Sequence, residues 1–273
     1  MAATTVLAEQ SINLPSDTTG NRPGSPDVGM IRYNTTIASL EYYGNRGWNP
    51  IKTQGIVTNS LILHWDPSTY TAGTGNTWTD SVGSQTMTLY GNASAKSGSY
   101  VIGSASTTAG SWFSGGNYAS AIFGTGAFTI EAWVYLSKTN FSSWRYIFGK
   151  STFWDGGSYG MYLNSSGQSI GFHTTSGNGI EYSLSNIGTG WKHIVGVRTT
   201  GGRNLYIDGN IVASDSTVDN ITTTANIVLG ASSTGGGYNE ITYKYGSYRI
   251  YNKALSTAEV RQNFTWEKPR YSS

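Results

Sequence analysis

Residues suited to bond-breaking chemistry are few in this chain. Glycoside hydrolysis needs two carboxylates that flank the scissile bond, about 5 Å apart in retaining enzymes. The strand-like run FTIEAWVYL carries one acid, Glu131, whose neighbours on the same face are Thr129, Trp133 and Tyr135. None of these neighbours is acidic, so we interpret Glu131 as a hydrogen-bonded structural residue. The sequence therefore predicts no catalytic residue and a protein that is not an enzyme.

Metal-binding and nucleophilic residues are also sparse. His64, His173 and His193 are scattered along the chain, and we interpret each as structural. The sequence contains no cysteine, which excludes disulfides, Cys-ligated zinc and thiol nucleophiles. Asp155 and Asp215 are isolated acids in loop-like segments, typical of turn formation. We predict no metal site and no cofactor.

Sugar binding draws on residue types that this chain has in abundance. Apolar sugar faces stack on aromatic rings, and hydroxyls need oriented amides or carboxylates. Three Gly-rich stretches have this composition: SGGNY at residues 114–118, FWDGGSY at 153–159 and STGGGYN at 233–239. The alternative is that they are ordinary strand connections whose glycines satisfy turn geometry. The candidate carbohydrate-binding residues are Trp154, Asp155, Tyr159, Tyr238 and Asn239.

The elements that would position these residues are short strands joined by turns. The 273 residues include 36 glycines and 13% aromatics, with only 12% charged residues. FTIEAWVYL alternates in the manner of a half-buried strand, and WKHIVGVR and NLYIDG flank TTGGR as a hairpin, with Asp208-Gly209 as the next tight turn. Ser256 stands three residues before Glu259, the capping-box spacing, which predicts one short C-terminal helix. This pattern favours an all-β sandwich or barrel.

Charge and hydropathy exclude two classes of partner. The formal net charge is +2 and no run of Lys or Arg occurs, so a nucleic-acid partner is not expected. No run of 18 apolar residues occurs and the N-terminal stretch has no secretory-signal pattern, so we expect neither a membrane span nor secretion through a signal peptide.

Five motifs, in order, resemble those of laminin G-like domains of the concanavalin A-like lectin and glucanase superfamily. They are LILHWDP, AFTIEAWVYL, WKHIVGVRTTGGRNLYIDGN, NIVLG and YRIYNKALSTAEVRQNF. The resemblance implies a jelly-roll β-sandwich of two antiparallel sheets over residues 60–273. Many such domains bind calcium through an Asp and backbone carbonyls near the sandwich rim. An acidic residue often precedes the RIYN strand in the family's closing motif, but Gly246, Ser247 and Tyr248 stand there, so calcium is not supported. Glycanases with this sandwich carry two acids on one strand, a pattern that Glu131 does not complete.

The N-terminal stretch NRPGSPDVGMIRYNTTIASLEYYGNRGWNPI resembles short modules of bacteriophage tail-fibre and other virion proteins. We predict a small β-meander within residues 1–52, followed by a linker at 53–59. A unit of this size buries too little apolar area alone, and without disulfides or metal it is expected to oligomerise. The alternative is packing on the lectin-like domain of the same chain. The candidate interface residues are Tyr33, Tyr42, Tyr43 and Trp48, of types enriched in interface cores.

Together the two resemblances predict a bacteriophage virion structural protein, either a head decoration protein or a short tail fibre. The expected partners are further copies of this chain, as a homotrimer, other virion proteins and a host-surface glycan. The expected location is the virion, assembled in the host cytoplasm. The alternative from another class is a glycan-processing enzyme or its carbohydrate-binding module. A bacterial surface adhesin is less favoured, because the chain shows no signal peptide.

Overall fold

The computed structural model divides the chain into two compact units, Met1–Gln54 and Gly55–Ser273. The described residues are 14–36, 39–45, 47–51, 55–70, 77–90, 96–97, 100–102, 111–140, 142–151, 156–175, 178–230 and 244–272.

The first unit is a four-stranded sheet with the order β1-β2-β3-β4. Strands β2 to β4 form the predicted antiparallel meander, and β1 adds a parallel edge. A short 3-10 helix, Thr19–Asn21, lies between β1 and β2. The strands are β1 (Ser16–Asp17), β2 (Ile31–Asn34), β3 (Ser39–Gly44) and β4 (Gly47–Pro50).

Within its described residues, the second unit contains sixteen strands in two sheets. The front sheet has the order β15-β14-β13-β12-β19-β10-β7-β6, and the back sheet has the order β18-β17-β16-β11-β20-β9-β8, with β5 also paired to β20. The strands are β5 (Leu61–Trp65), β6 (Thr77–Thr79), β7 (Thr86–Tyr90), β8 (Lys96–Ser97), β9 (Tyr100–Ile102), β10 (Trp112–Ser114), β11 (Phe128–Leu136), β12 (Arg145–Lys150), β13 (Tyr159–Asn164), β14 (Ser169–Thr175), β15 (Asn178–Ser183), β16 (Gly190–Thr199), β17 (Gly202–Ile207), β18 (Asn210–Asp215), β19 (Ile227–Leu229) and β20 (Lys244–Tyr251). Short 3-10 helices span Pro67–Thr69, Ala119–Ala121, Leu184–Asn186 and Lys268–Tyr271.

The core of the second unit lies between the two sheets. Every second residue of a strand points to the same face, so one face of each sheet supplies the core. Ile130, Ala132 and Val134 of β11 and Met161 and Leu163 of β13 are fully buried in one continuous cluster. This arrangement confirms the predicted all-β sandwich of two antiparallel sheets.

Local signals in the sequence correspond to local structure. The predicted hairpin pairs β16 with β17, and Asp208 and Gly209, which have φ angles of 49° and 78°, make the tight turn to β18. The predicted capping box opens helix α1 (Thr257–Glu267), since Ser256 Oγ accepts from the amide of Glu259 and the Glu259 carboxylate accepts from the amide of Ser256. Each capping interaction satisfies a backbone donor that the first helical turn leaves unpaired.

The expectation that β11 is half-buried is wrong. Both faces of Phe128–Leu136 are buried, with only Tyr135 partly exposed. The reason is helix α1, which lies on the outer face of the back sheet: the Phe264 ring stacks on Trp133 at 5.9 Å, and the Asn263 amide donates to Glu131 at 2.7 Å. The alternation of apolar and polar residues predicted the strand, but the residues that bury its outer face are more than a hundred positions away in the sequence.

The segment expected to be a linker also contributes to the second unit. Val57 is buried in a cluster with Val260 of helix α1, and its amide donates to the Asn263 side chain at 2.7 Å. This part of the chain is therefore tied to the helix that covers the back sheet.

Candidate functional site

The outer face of the front sheet carries a row of aromatic residues. Phe113, Ile227 and Leu229 point into the core, so their neighbours Trp112 and Val228 point away from it. The outward-facing group contains Tyr90, Trp112, Trp144, Tyr146, Tyr162 and Val228. We call this surface the aromatic face.

Glycines on neighbouring strands form the floor under two of these rings. A Cβ atom at Gly171 would lie 2.2 Å from Cζ of Tyr162, and one at Gly160 would lie 1.8 Å from Oη of Tyr146. The rings of both tyrosines therefore occupy the space that a side chain at the glycine position would fill. Their rings are 5% exposed or less, which makes them a foundation for the outer residues.

Two stacked ring pairs make up the outer layer. Tyr90 and Trp112 are direct partners across β7 and β10, and their rings stack with centroids 4.4 Å apart and planes inclined by 15°. Trp144 stacks on Tyr162 at 5.4 Å. Tyr90 is 46% exposed, and Trp112 and Trp144 are partly exposed. Flat, partly exposed rings of this kind are suited to stacking against the apolar face of a sugar.

Polar groups adjoin the Trp144 and Tyr162 pair. The Glu181 carboxylate accepts from Tyr162 Oη at 2.9 Å, from Asn164 Nδ2 at 2.9 Å and from Ser169 Oγ. Glu181 is exposed. The carboxylate is therefore held in one orientation and still faces solvent, where it can accept from ligand hydroxyls.

His173 lies below the aromatic face and is fully buried. Its Nε2 is 3.3 Å from Tyr146 Oη, and its Nδ1 is 3.3 Å from the carbonyl oxygen of Thr175. Burial lowers the pKa of His173 to about 4, so the ring is neutral at physiological pH. It supports Tyr146 and has no exposed atom with which to act as a base.

Tyr159, one of the sequence-predicted sugar-binding residues, is corrected by the structure. Its side chain is fully buried among core residues, and its hydroxyl donates to the carbonyl of Ala121 at 3.1 Å. A ring that packs between the sheets cannot stack on a sugar. Trp154, Asp155, Tyr238 and Asn239 lie outside the described residues and stay predictions.

The four predicted interface aromatics divide between the two faces of the first sheet. Tyr33 and Tyr42 are 38% and 42% exposed and share one face. Tyr43 and Trp48 pair on the opposite face, with ring centroids 5.5 Å apart, and Arg32 lies 5.7 Å from the Trp48 ring centre.

The face that carries Tyr43 and Trp48 also encloses charged side chains. Glu41 is fully buried and accepts from Arg22 Nη2 at 2.6 Å and from Asn34 Nδ2 at 3.1 Å. The hydrogen bond from Arg22 is the main cause that lowers the pKa of Glu41. Apolar residues meanwhile occupy the exposed side: Ile31, Tyr33, Leu40, Tyr42 and Ile51, each between 36% and 42% exposed. We call this side the apolar face.

The sequence interpretation missed the residues of the aromatic face, although a signal for them exists. Gly149, Gly160 and Gly171 fall on consecutive strands at positions that face away from the core. Glycine in a strand interior often marks close approach of another group. A sequence in which outward-facing strand glycines lie near aromatic residues therefore predicts that the aromatic rings lie flat on the sheet.

Glu131 has the structural role that the sequence predicted. Its Oε1 is 2.9 Å from His193 Nε2 and 2.6 Å from Arg249 Nη1, and its Oε2 accepts from Asn263. Burial alone would raise its pKa, but Arg249 and His193 outweigh burial and lower the pKa to about 2. A glycosidase acid needs a raised pKa and access to substrate, and Glu131 has neither.

Ser81, His64 and Asp66 have the residue types of a nucleophilic triad but not its geometry. Ser81 Oγ is 3.2 Å from His64 Nδ1, whereas His64 Nε2 is 3.7 Å from Asp66 Oδ2. Arg270 holds that carboxylate with two hydrogen bonds, at 2.6 and 3.0 Å. The aspartate is therefore committed to Arg270 and does not orient the histidine.

Two further findings concern only the described part of the chain. No three acidic or histidine side chains there come together as a metal-binding group. None of its helices has the length and apolar character to cross a bilayer.

Two facing antiparallel sheets with a covered back and an aromatic front define a jelly-roll sandwich of the lectin type. Residues 114–261, more than half of the chain, match the family model of laminin G type described as the concanavalin A-like lectin/glucanases superfamily. The chain belongs to this family. A comparison with curated proteins gives no match.

Solved structures with the same fold include two binding domains and a botulinum neurotoxin type C structure. That of botulinum neurotoxin DC, in complex with SialylT, aligns with a TM-score of 0.56 and 16% identity over 76% of this chain and 51% of that chain. That of Paraclostridial mosquitocidal protein 1 aligns with a TM-score of 0.57 and 16% identity over 75% and 52%. A botulinum neurotoxin type C structure, from work on cell entry dependent upon two ganglioside molecules, aligns with a TM-score of 0.56 and 16% identity over 76% and 51%. The chain thus spans about half the length of these proteins, and at this identity the likeness shows the fold.

Proposed function

We propose that this protein is a bacteriophage virion structural protein, a head decoration protein or a short tail fibre, whose sandwich attaches to host-surface glycans without cleaving them. The observation that carries the glycan assignment is the aromatic face, with partly exposed stacked rings beside an oriented, solvent-facing carboxylate. The virion assignment rests on the resemblance of the N-terminal motif to virion modules. Toxin binding domains with the same fold, one of them in complex with SialylT, support a binding role.

The first unit would assemble the protein into a homotrimer and join it to other virion proteins. Its sheet buries Glu41, which pairs with the partly exposed Arg22, and exposes an apolar face. Five apolar side chains on one small sheet are the composition of an interface core. Double substitution Leu40→Ser, Tyr42→Ser should therefore yield monomers by light scattering, as should deletion of residues 1–52. An oligomer that survives both changes would contradict this role.

Oligomerisation matters because stacking on a single ring is weak. A site with millimolar affinity gains only about 4 kcal/mol. Linked copies on one particle add avidity of roughly 10² to 10⁴. Weak sites on a trimer, present many times on a virion, are sufficient for attachment.

The alternative function is a glycan-processing enzyme, or a carbohydrate-binding module of one. An enzyme would need a second carboxylate within about 5 to 9 Å of Glu181. The described carboxylates Glu131 and Asp66 are instead engaged in ion pairs with Arg249 and Arg270. Release of reducing ends from polysaccharides by the wild-type protein, lost in Glu181→Gln, would favour the enzyme.

The test of glycan binding is a glycan array with the intact protein, followed by titration of the best ligand by NMR. Trp112→Ala should weaken binding about tenfold, because it removes one ring of the exposed pair. Ile211→Ala is the control, since Ile211 is 52% exposed on the edge strand β18 of the back sheet. Equal affinity in wild type and Trp112→Ala would refute the assignment of the aromatic face. Particle adsorption after Trp154→Ala and Tyr238→Ala tests those two predicted residues.

A further inference from the structure

A groove lies on the other side of the sandwich, where helix α1 ends. Its rim is apolar: Ile56, Pro269 and Trp266, whose side chain is 48% exposed. Its volume is about 360 Å³. Ligand pockets usually run from about 300 to 1,000 Å³, so this one fits a small ligand. We call it the helix-end groove.

The floor of the groove carries balanced charge. Arg270 holds Asp66 with hydrogen bonds of 2.6 and 3.0 Å, and Arg249 pairs with Glu267 at 2.5 Å. Two guanidinium groups and two carboxylates leave no net charge. A strongly anionic ligand would meet Asp66 and Glu267, and a cationic one would meet the two arginines, so the floor favours a neutral ligand.

The protonation states of the floor support this conclusion. Burial opposes ionisation of Asp66, but the hydrogen bonds from Arg270 and Ser68 outweigh it and hold the pKa of that carboxyl well below its usual range. Burial, and then the charge of Arg249, lower the pKa of His64 to about 4. At neutral pH the histidine is uncharged and offers one donor and one acceptor nitrogen.

His64 and Glu267 are among the floor residues with hydrogen-bonding capacity to spare. In the part of the chain that the structure describes, His64 Nε2 and Glu267 Oε2 are buried atoms without a hydrogen-bond partner. Buried polar atoms of this kind are rare and call for a water or ligand partner. A hydroxyl group donates and accepts, so it can satisfy both kinds of atom.

We propose that the helix-end groove binds one neutral pyranose ring, stacked on Trp266, with its hydroxyls directed to Asp66, Arg270 and His64. An ion-paired carboxylate and guanidinium present acceptors beside donors, the pattern that two adjacent ring hydroxyls require. His64 and Arg249 are direct partners on β5 and β20, and Arg249 reaches Glu131 on the helix-covered side. The groove and the aromatic face therefore lie on opposite faces of the sandwich. The inference takes its ligand class from the proposed function but names a second, separate site.

The test uses the intact protein and three neutral probes: methyl glucoside, methyl galactoside and methyl mannoside. Saturation-transfer NMR should show binding of at least one of them to wild type. Trp266→Ala should raise its Kd at least tenfold, and Trp266→Phe should restore part of the affinity. Ile211→Ala is the matched control and should leave this Kd within twofold, since Ile211 is exposed on the edge strand β18. Methyl sialoside and glucosamine, the charged probes, should bind at least fivefold more weakly at the groove.

The outcomes separate this inference from the proposed function. No binding of neutral pyranosides, an unchanged Kd in Trp266→Ala, or preference for a charged probe would overturn the groove assignment. If Trp112→Ala alone abolished all pyranoside binding, the groove assignment would be overturned and the aromatic face would be supported. Loss in Trp266→Ala with binding retained in Ile211→Ala would establish the groove, whereas the array and titration of Trp112→Ala decide the aromatic face separately.

Discussion

The two outer faces of the sandwich carry similar aromatic residues and differ in what covers them. On the back sheet, Trp133 is 2% exposed, because Tyr271 and Phe264 stack on its ring at 4.5 and 5.9 Å. On the front sheet, Trp112 stacks on Tyr90, and the pair stays accessible to solvent. A tryptophan that points outward from a sheet is thus a structural residue in one place and a binding candidate in the other.

The foundation under each face differs as well. The back face rests on a buried charged network in which Arg249 joins Glu131 to Glu267 and so fixes helix α1. The front face rests on Tyr146 and Tyr162, which lie over glycines. On the back sheet, ion pairs therefore hold helix α1 against the outer face. On the front sheet, glycines leave room for the two tyrosine rings to lie on the strands.

The largest expected effect comes from breaking the back-face network. Arg249→Met removes the cation that joins the buried carboxylates of Glu131 and Glu267, which should cost about 3 to 5 kcal/mol of folding stability. Denaturant unfolding measures the loss. Arg261→Met, an exposed change on the same helix, should stay within about 0.5 kcal/mol of wild type. A loss below about 1 kcal/mol in Arg249→Met would show that the cover does not depend on this charge.

The sequence predicted the local parts of this architecture because they depend on near neighbours. The bounds of β11, the hairpin of β16 and β17 and the capping box at Ser256 all follow from residues within a few positions of one another. The predicted fold class is confirmed for the same reason, since alternation and turn signals recur along the chain.

The helix packing that buries the back sheet and the two candidate binding sites could not be predicted in this way, because residues distant in the sequence form them. Arg270 and Asp66 are 204 positions apart, and Tyr90 meets Trp112 only through the pairing of β7 with β10. Tyr159 illustrates the same limit: it follows a Gly-rich turn, yet strand β13 directs its ring into the core. Composition shows that the chain contains residue types suited to sugar binding, but it does not show which face of a sheet each aromatic ring occupies.

Acid should destabilise both faces through one buried histidine each, His64 behind and His173 in front. Burial lowers both pKa values from 6.5 to about 4. The unfolded chain therefore binds protons below pH 6.5 that the folded chain rejects until pH 4, so stability falls as pH falls through this window. Between pH 7 and pH 5 the loss should be about 2 kcal/mol for each histidine.

Denaturant unfolding at several pH values measures this dependence. His64→Gln and His173→Gln should each remove about half of the slope between pH 7 and pH 5. The carboxylate of Glu131, whose pKa is lowered to about 2, acts in a separate window, because its contribution is complete above pH 4.5 and is lost only towards pH 2. A slope that neither histidine variant changes would assign the acid sensitivity to other groups.

A smaller effect than the combined loss from the two histidines should come from the glycine floor, and it bears most directly on the contrast between the faces. Gly171→Ala places a Cβ 2.2 Å from Tyr162 Cζ, so the ring must move, at a cost of about 1 to 3 kcal/mol. Tyr162 supports Trp144 and donates to Glu181, so its displacement should also weaken glycan binding at the aromatic face. Gly201→Ala is the control, because a Cβ there meets no atom within 4 Å. If Gly171→Ala lowers stability yet leaves glycan affinity unchanged, the tyrosine layer serves packing alone and the binding surface reduces to Tyr90 and Trp112.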